Sequence, residues 1–582
     1  MKPLAARSIF ASVTSFASFA CMTSLAHLAG SLGAICLSPT MLIAQPTRAQ
    51  EQPAVVAPVP RAGPDHAWWN DAVFYEIFVR SFKDSSSGPN ANDGIGDFDG
   101  ITEKLDYLNN GKNDGSSLGV TGLWLMPIFP SPSYHGYDVT DYQGVHPDYG
   151  SMESFKRLLA ECHKRNIRVI LDLTLNHCSS EHEWFKQASK PDGQTRDWFV
   201  WADAAPAKQG GAYGGSPWHK LRDKFYYGIF SRGMPDFNCS NPDVTDALHE
   251  LSRFWLQDVG VDGFRLDAIR HLIEVDGKQE NTPETHEWIK GYRKFLKGAK
   301  PEAMTVGEVW DSSANAAKYV GDELDMVFEF ALAQATLDSI NAGNADTLRK
   351  AYAEVAGAYP LNQYGSFLTN HDQTRVMNVL KHDPAKARVA ATLLLTGPGV
   401  PFIYYGEEIG MTGDKPDELL RTPMQWSDGA NAGFSGVKPW QRENKDAGAL
   451  NVANQLADPG SLLRHYQSLV ALRAQHPALS RGSLYPVAVN NPGLYAFLRT
   501  QPGAEGALDA VLVVANLSNQ EISEGSLTLG ASPLRGEFNL HALLGRAGEE
   551  KLVANPQGGF GSVKLVGALG PYSASVIQLR QK

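Results

Sequence analysis

VDGFRLDAIRHL, residues 261–272, decides the fold. The stretch reads as a buried strand through Gly263, Phe264 and Leu266, yet it also carries Arg265, Asp267, Arg270 and His271. A carboxylate buried without a partner is costly, so such a residue is normally paired, metal-bound or functional. Arg265 stands two residues before Asp267 and so shares a strand face with it. An arginine on that face favours the ionised form of the acid.

Outward from this strand the same rhythm repeats. Strand-like runs occur at 72–79, 121–129, 167–175, 261–268, 304–310, 325–332, 364–370 and 400–408, and amphipathic segments lie between most of them. One is SMESFKRLLAECHKRN (151–166), with Phe155, Leu158, Leu159 and Cys162 on one face. Eight strand–helix units predict an α/β fold, a closed parallel (β/α)8 TIM barrel over residues 66–177 and 246–480. Residues 178–245, rich in Gly, Trp, Tyr and Asp, predict an inserted subdomain after the third strand. The alternating runs of residues 485–582 predict a C-terminal antiparallel β-sandwich. In such a barrel the chemistry sits where strands end. Asp172, Asn176 and His177 end the third strand, Arg265 and Asp267 the fourth, and Glu308 the fifth, while His371 and Asp372 follow the seventh.

Composition narrows the function. The chain of 582 residues has 43% hydrophobic and 20% charged residues and a formal charge of −11, an acidic balance that argues against nucleic acid as a partner. Aromatic residues make up 10%, which suits a surface that stacks on flat apolar faces. Residues 1–50 begin with Lys2 and Arg7, continue small and apolar, and hold no acid, as an export signal does. A Pro/Ala-rich linker follows to residue 65. Two readings of the leader stand: a secretory signal removed near Gln50, or lipid attachment at Cys21, where Ser18 occupies a place expected to be aliphatic. The body of the chain is expected outside the cytoplasm, extracellular or periplasmic, as a monomer without a membrane span. Cys162, Cys178 and Cys239 form no disulfide framework or zinc site, although a Cys178–Cys239 bridge is an open alternative. No nucleotide-binding glycine fingerprint or redox motif appears, so no organic cofactor is expected.

Five ordered motifs, DLTLNH (172–177), MPDFN (234–238), GFRLDAIRH (263–271), GEVW (307–310) and FLTNHD (367–372), resemble the α-amylase family of glycoside hydrolases, family 13. The resemblance spans about residues 68–582. It implies Asp267 as nucleophile, Glu308 as general acid and base, and Asp372 as the third acid, gripping sugar hydroxyls. It further implies that His177 and His371 hydrogen-bond the sugar and that Tyr137 stacks on it, with His135 nearby and Arg265 keeping Asp267 ionised. Taken alone, Asp372 reads also as a helix N-cap, His135 as a loop histidine, Asp172 as a structural partner of Arg265, and Arg270 as a helix-surface residue. A non-catalytic glucan-binding chain on the same fold is the rival reading, and the presence of all three acids opposes it.

Calcium is the expected metal. DSSSGPNANDGIGD (84–97) resembles the family's calcium loop, with Asp84, Asn90 (or Asn92), Asp93, Ile95 and Asp97 as the ligands. Pro89 and Ala91 depart from the family pattern. A second family site uses the residues matching Asn176 and His271, and the subdomain aspartate that completes it is not identifiable from sequence.

Within the family the features divide. The acid that blocks exo-acting sites is replaced by Tyr134, and Ala268 and His271 suit α-1,4 cleavage by an amylase. MPDFN instead resembles neopullulanases and cyclomaltodextrinases. RTPMQW (421–426) resembles exo-glucosidases and trehalose-forming isomerases, whose arginine pairs with the blocking acid; Arg421 is expected to lack that partner. The expected activity is retaining endo-hydrolysis of α-1,4-glucans in starch and maltooligosaccharides. An α-glucosidase, a neopullulanase-like hydrolase or a transglycosylase is the alternative.

Overall fold

The computed structural model describes residues 67–582 except 113, 205–209, 213, 504–505, 548–550 and 565–566. The leader, the linker and Cys21 lie outside the described residues. Strands β1 (Phe74–Ile77), β2 (Gly122–Leu125) and β3 (Arg168–Thr174) come first. They are followed by β4 (Trp201–Ala202), β5 (Trp218–Leu221) and β6 (Lys224–Tyr227), which make a small antiparallel sheet in the inserted segment. Then come β7 (Gly263–Asp267), β8 (Met304–Gly307), β9 (Met326–Phe328), β10 (Tyr364–Ser366) and β11 (Val400–Tyr404). Eight of these close a parallel barrel in the order β1-β11-β10-β9-β8-β7-β3-β2.

Period-two alternation splits the barrel strands between two cores. Phe74, Trp124, Ile170, Met304, Val306, Met326 and Phe402 pack together in one cluster. Their chain neighbours Tyr75, Leu123, Leu171, Phe264, Leu266, Val327 and Ile403 join the larger cluster with the surrounding helices. On β7 this sends Phe264 and Leu266 outward and leaves Arg265 and Asp267 on the inner face. Gly263 begins the strand because a Cβ there would meet the Met304 carbonyl oxygen at 2.1 Å. Between β2 and β3 the predicted helix runs Met152–Lys164, with Ser151 as its cap accepting from the Ser154 amide.

The inserted segment rejoins the barrel through short bridges, His177 to Asp236 and Phe199 to Phe237. The C-terminal strands are β12 (Ser483–Val489), β13 (Leu494–Pro502), β14 (Leu508–Asn516), β15 (Ser526–Leu529), β16 (Gly536–Leu544), β17 (Leu552–Ala554), β18 (Phe560–Lys564) and β19 (Ser573–Gln581). They form an antiparallel sheet domain in one hydrogen-bonded order, β17-β16-β19-β14-β13-β12-β15-β18. The end strands β17 and β18 touch, and Leu498, Leu512, Leu527, Phe538 and Ile577 fill the core. Cys162, Cys178 and Cys239 are buried free thiols, so the Cys178–Cys239 bridge is not formed. Among the described residues no helix is long and apolar enough to cross a membrane.

Candidate active site

Strand register brings the fourth-strand acids together with their neighbours. Asp172 pairs with Arg265 and Thr174 with Asp267 across β3 and β7. Arg265 pairs with Val306 across β7 and β8, and the same register carried two residues on sets Glu308 opposite Asp267. Arg265, 1% exposed, is the hub. Its Nη1 reaches Asp172 at 2.8 Å and Asp267 at 2.6 Å, and its Nη2 reaches Glu308 at 3.0 Å. The guanidinium lies over the rings of Trp124 and Tyr137. Planar fork geometry with several donors suits arginine to such a role better than lysine. Beyond Asp267, Ala268 takes a left-handed conformation at φ 49°, uncommon outside glycine. The turn aims its amide at Glu308, 3.1 Å away.

A second network surrounds Asp372. His371 Nε2 lies 3.1 Å from Asp372 and 2.7 Å from the Tyr137 hydroxyl, while its Nδ1 meets the buried Glu76. The Tyr137 hydroxyl in turn donates to Asp172 at 2.9 Å. Arg421 Nη2 meets Asp372 at 2.8 Å and Asp417 at 3.5 Å. Arg421 has no blocking acid to pair with, since Tyr134 stands at that place with its ring over the guanidinium; its carboxylate partner is the third acid, Asp372. The N-cap reading of Asp372 fails, because the following helix begins at Val376 with Arg375 at its cap.

The electrostatics follow from burial and these contacts. Burial raises Asp172 to about 7 despite Arg265. Burial likewise raises Asp267 and Glu308 above the usual carboxyl range, while Arg265 pulls each down and their mutual charge pushes each up. The expectation that Arg265 alone would depress Asp267 is thus outweighed by desolvation, and the two acids titrate as a pair. Burial opposes a charged His371, but Asp372 and Glu76 outweigh it and hold the imidazole up to about 10. Burial would also lift Asp372; His371 and Arg421 hold it well below the usual range.

The predicted histidines and Tyr134 make contacts with one another's surroundings. His177 is buried and donates from Nε2 to the Tyr137 carbonyl, and burial lowers it to about 4. His135 accepts from the Tyr137 amide and lies nearly parallel to that ring. His271 donates to the Gln279 carbonyl, and Phe230 packs against both His271 and His177. Tyr134 stacks on Trp440 at 5.5 Å with Arg421 beneath its ring. Trp310, 48% exposed, stacks on Phe330 two residues beyond Glu308. Arg270, on the short helix after β7, donates to the Trp310 carbonyl and pairs with Glu280.

The two metal expectations differ in outcome. In the 84–97 loop, Asp84 accepts from the amides of Asn92 and Gly94 and from the Ser435 hydroxyl. Asp97 accepts from the amides of Ser85 and Gly100, and Asp93 from that of Ile95. Asn90 donates to the Pro147 carbonyl, Asn92 Oδ1 accepts from Gly436, and the Lys83 ammonium reaches the carbonyls of Asp84 and Phe434. The loop is held by its own amides and an ammonium, and among the described residues no three Asp, Glu, His or Cys side chains gather to hold an ion. That arrangement does not fit calcium. At the base of the subdomain, by contrast, Asn176 Oδ1 and Asp236 Oδ2 are buried oxygens with no partner. Orphaned hard acceptors of this kind fit a calcium ion. Asp236, within the motif MPDFN, is thus a subdomain aspartate with a free buried oxygen at the base of the subdomain.

The family described as "Alpha amylase, catalytic domain" matches residues 76–482. Alpha-amylase 3 of Dictyoglomus thermophilum is 37% identical over 469 residues, covering 79% of this chain and 87% of that protein. Trehalose synthase/amylase TreS of Mycolicibacterium smegmatis is 35% identical, covering 78% of this chain and 85% of its own length. Oligo-1,6-glucosidase of Bacillus cereus is 32% identical, covering 78% and 91%. Among solved structures, the α-amylase from H. orenii superposes with a TM-score of 0.75 at 37% identity, covering 88% of this chain and 99% of that one.

Proposed function

Within the α-amylase family of glycoside hydrolases, to which this chain belongs, we propose that it is a retaining endo-hydrolase of α-1,4-glucosidic bonds in starch and maltooligosaccharides. The observation that carries the chemistry is the single guanidinium of Arg265 holding both Asp267 and Glu308. Two carboxyls so tethered stand close, and retaining enzymes place theirs about 5–5.5 Å apart. With both acids raised by burial and repelling one another, the pair retains one proton. The shorter contact of Arg265 to Asp267 puts the negative charge there and leaves the proton on Glu308.

The steps follow. Glu308 gives its proton to the glycosidic oxygen as the bond to the anomeric carbon breaks, and Asp267 bonds to that carbon from the opposite face. Glu308, now anionic, takes a proton from water, whose oxygen displaces Asp267 and restores the original configuration. Asp372, held ionised, accepts from sugar hydroxyls and supports the oxocarbenium-like state, with His371 and His177 as further hydrogen-bond partners. Tyr137 offers its ring to the sugar face. At the subdomain junction, Asn176 and Asp236 would hold calcium, which supplies charge that fixes the loop carrying His177.

Tyr134 supports the endo reading. No carboxylate stands at that place to close off a longer chain, and Arg421 is already satisfied by Asp372. The leader supports export. The test is the product pattern over time on soluble starch beside maltose. Rapid loss of viscosity with maltooligosaccharides of several lengths supports the proposal. Glucose as the sole early product, or trehalose from maltose, places the chain with the exo-glucosidase or isomerase activities named for its relatives.

A further inference from the structure

We propose that Glu76 of β1 is a positioning residue, which fixes His371 as a donor at both ring nitrogens and so sets the direction of a hydrogen-bond chain from His371 through Tyr137 to Asp172. The proposal deepens the hydrolase reading and rests on it for the parts played by His371 and Tyr137. Neither the resemblance nor the comparisons give Glu76 a role.

Glu76 follows the alternation of its strand. Tyr75 and Ile77 join the outer core and Phe74 the inner cluster, so Glu76 points into the barrel, where it is buried. Register sets it beside Trp124 of β2 and Tyr404 of β11, and neither supplies a positive charge. Among the described residues His371 is the one cationic group within ion-pair distance of it. His371 is itself fully buried, and each of its ring nitrogens faces a carboxylate: Nδ1 faces Glu76 and Nε2 faces Asp372 at 3.1 Å. A neutral imidazole has one N–H and one acceptor nitrogen. Either tautomer would set a lone pair against a carboxylate oxygen, so only the doubly protonated ring satisfies both sides. The Nε2 proton also faces the Tyr137 hydroxyl, 2.7 Å away. With that hydroxyl accepting, its own proton goes onward to Asp172 Oδ2 at 2.9 Å. Trp124 donates to the same oxygen and Arg265 to the other. Every proton from His371 onward therefore points toward Asp172.

The direction matters because its members serve the reaction: Tyr137 offers its ring to the sugar, and Arg265, which ends the chain, holds Asp267 and Glu308. Without the charge of Glu76, a single proton on Nδ1 would suffice. Nε2 would then turn acceptor, the Tyr137 hydroxyl would swing its proton to it, and both Asp172 and Asp372 would lose a donor. The groups facing His371 from around it are Glu76, Tyr137, Asp172, Asp267 and Asp372, and Arg421 donates to its carbonyl. Of these only Glu76 contacts Nδ1, so it decides that proton. The charges of Asp372 and Glu76 together hold the imidazole up to about 10 against burial.

The experiment is a pH titration of the full-length protein, labelled with nitrogen-15 at histidine and free of substrate, followed by NMR. His371→Gln assigns the signal, and kcat/KM on a maltooligosaccharide is measured beside it for the wild type and Glu76→Gln. Glutamine keeps the shape and an acceptor oxygen but not the charge. Wild-type His371 should show two protonated nitrogens at about pH 8. In Glu76→Gln its midpoint should fall by about 1–3 units, and kcat/KM at that pH by about 10- to 100-fold. A Glu76 that only fills space or accepts a hydrogen bond predicts an unmoved midpoint, since glutamine does both. An unmoved midpoint or an unmoved kcat/KM in Glu76→Gln would overturn the proposal. So would a neutral His371 at about pH 8 in the wild type, a measurement that stands even where the variant does not fold. Because the titration is read without substrate, products that contradict endo-hydrolysis would leave its outcome intact, and the two failures are told apart.

Discussion

Replacing Arg265 by lysine separates charge from geometry at the centre of the site. The wild-type guanidinium contacts the buried carboxylates of Asp172 and Asp267 and the half-buried Glu308 at 2.6–3.0 Å while 1% exposed. Lysine keeps the positive charge but, as a point charge on a flexible stem, cannot hold all three. Losing a charge-assisted hydrogen bond to Asp267 costs about 1.5–3 kcal/mol, and a pKa unit corresponds to about 1.36 kcal/mol. Arg265 pulls both Asp267 and Glu308 downward, so weakening it must raise both. In Arg265→Lys the acid limb of kcat/KM against pH should therefore move up by about one to two units, with the alkaline limb moving the same way. Loss of alignment should lower the maximum by about 100-fold. Arg265→Met, which leaves the carboxylates unpaired, should also cost about 3–5 kcal/mol of stability. The assay is steady-state hydrolysis of a maltooligosaccharide from pH 4 to 9, with denaturant unfolding alongside. An Arg265→Lys enzyme with an unmoved acid limb and near-normal kcat/KM would refute the assignment of Arg265 as the group that partitions the proton.

Other predictions bear on separate links. Glu308→Gln should lower turnover on unactivated maltooligosaccharides by about 10²–10⁴-fold while oligosaccharide binding persists; normal turnover would remove Glu308 from the acid role. His371, held up to about 10 from an ordinary 6.5, contributes stability that is complete below about pH 6.5 and lost as pH rises through about 10. Urea midpoints should fall over that window in the wild type, and the fall should flatten in His371→Gln; parallel curves would contradict the charged-histidine account. Asp372 acts in the opposite sense, its contribution being present above about pH 4 and lost on acidification below that. Tyr134→Asp places a carboxylate beside Arg421, and the ratio of maltose to starch cleavage should rise; an unchanged ratio would show that this position does not govern chain passage.

Much of this was legible in the chain because barrel strands advertise themselves. Phe264 and Leu266 alternate with Arg265 and Asp267, and a charged residue on the inner face of a buried strand has few uses other than the site. The same signal stands at Glu76 inside AVFYEIFV, where a lone acid in an apolar strand marks the residue that meets His371. What sequence did not reveal depends on contacts between distant segments. The pairing of Arg421 with Asp372 joins residues 49 apart, and no local pattern announces it. The 84–97 loop offered the right oxygens in the right order, but a sequence does not say which amides will claim them, and Asp84 and Asp97 spend theirs on the loop itself. Asp236 lies within MPDFN, but its free oxygen gains meaning only from that of Asn176 across the subdomain base, which no local pattern announces. The Tyr134–Trp440 stack is of the same kind, built from loops more than three hundred residues apart.

The account's central claim is that Asp267 forms the covalent bond and Glu308 moves the proton. Its most direct test is to incubate the enzyme with a slow fluorinated α-glycosyl fluoride and map the labelled peptide by mass spectrometry. The account predicts one sugar bonded to the peptide carrying Asp267, with products of the normal substrate first appearing in the α configuration. No adduct, together with β-configured first products, would contradict it and make Asp267 a base acting through water.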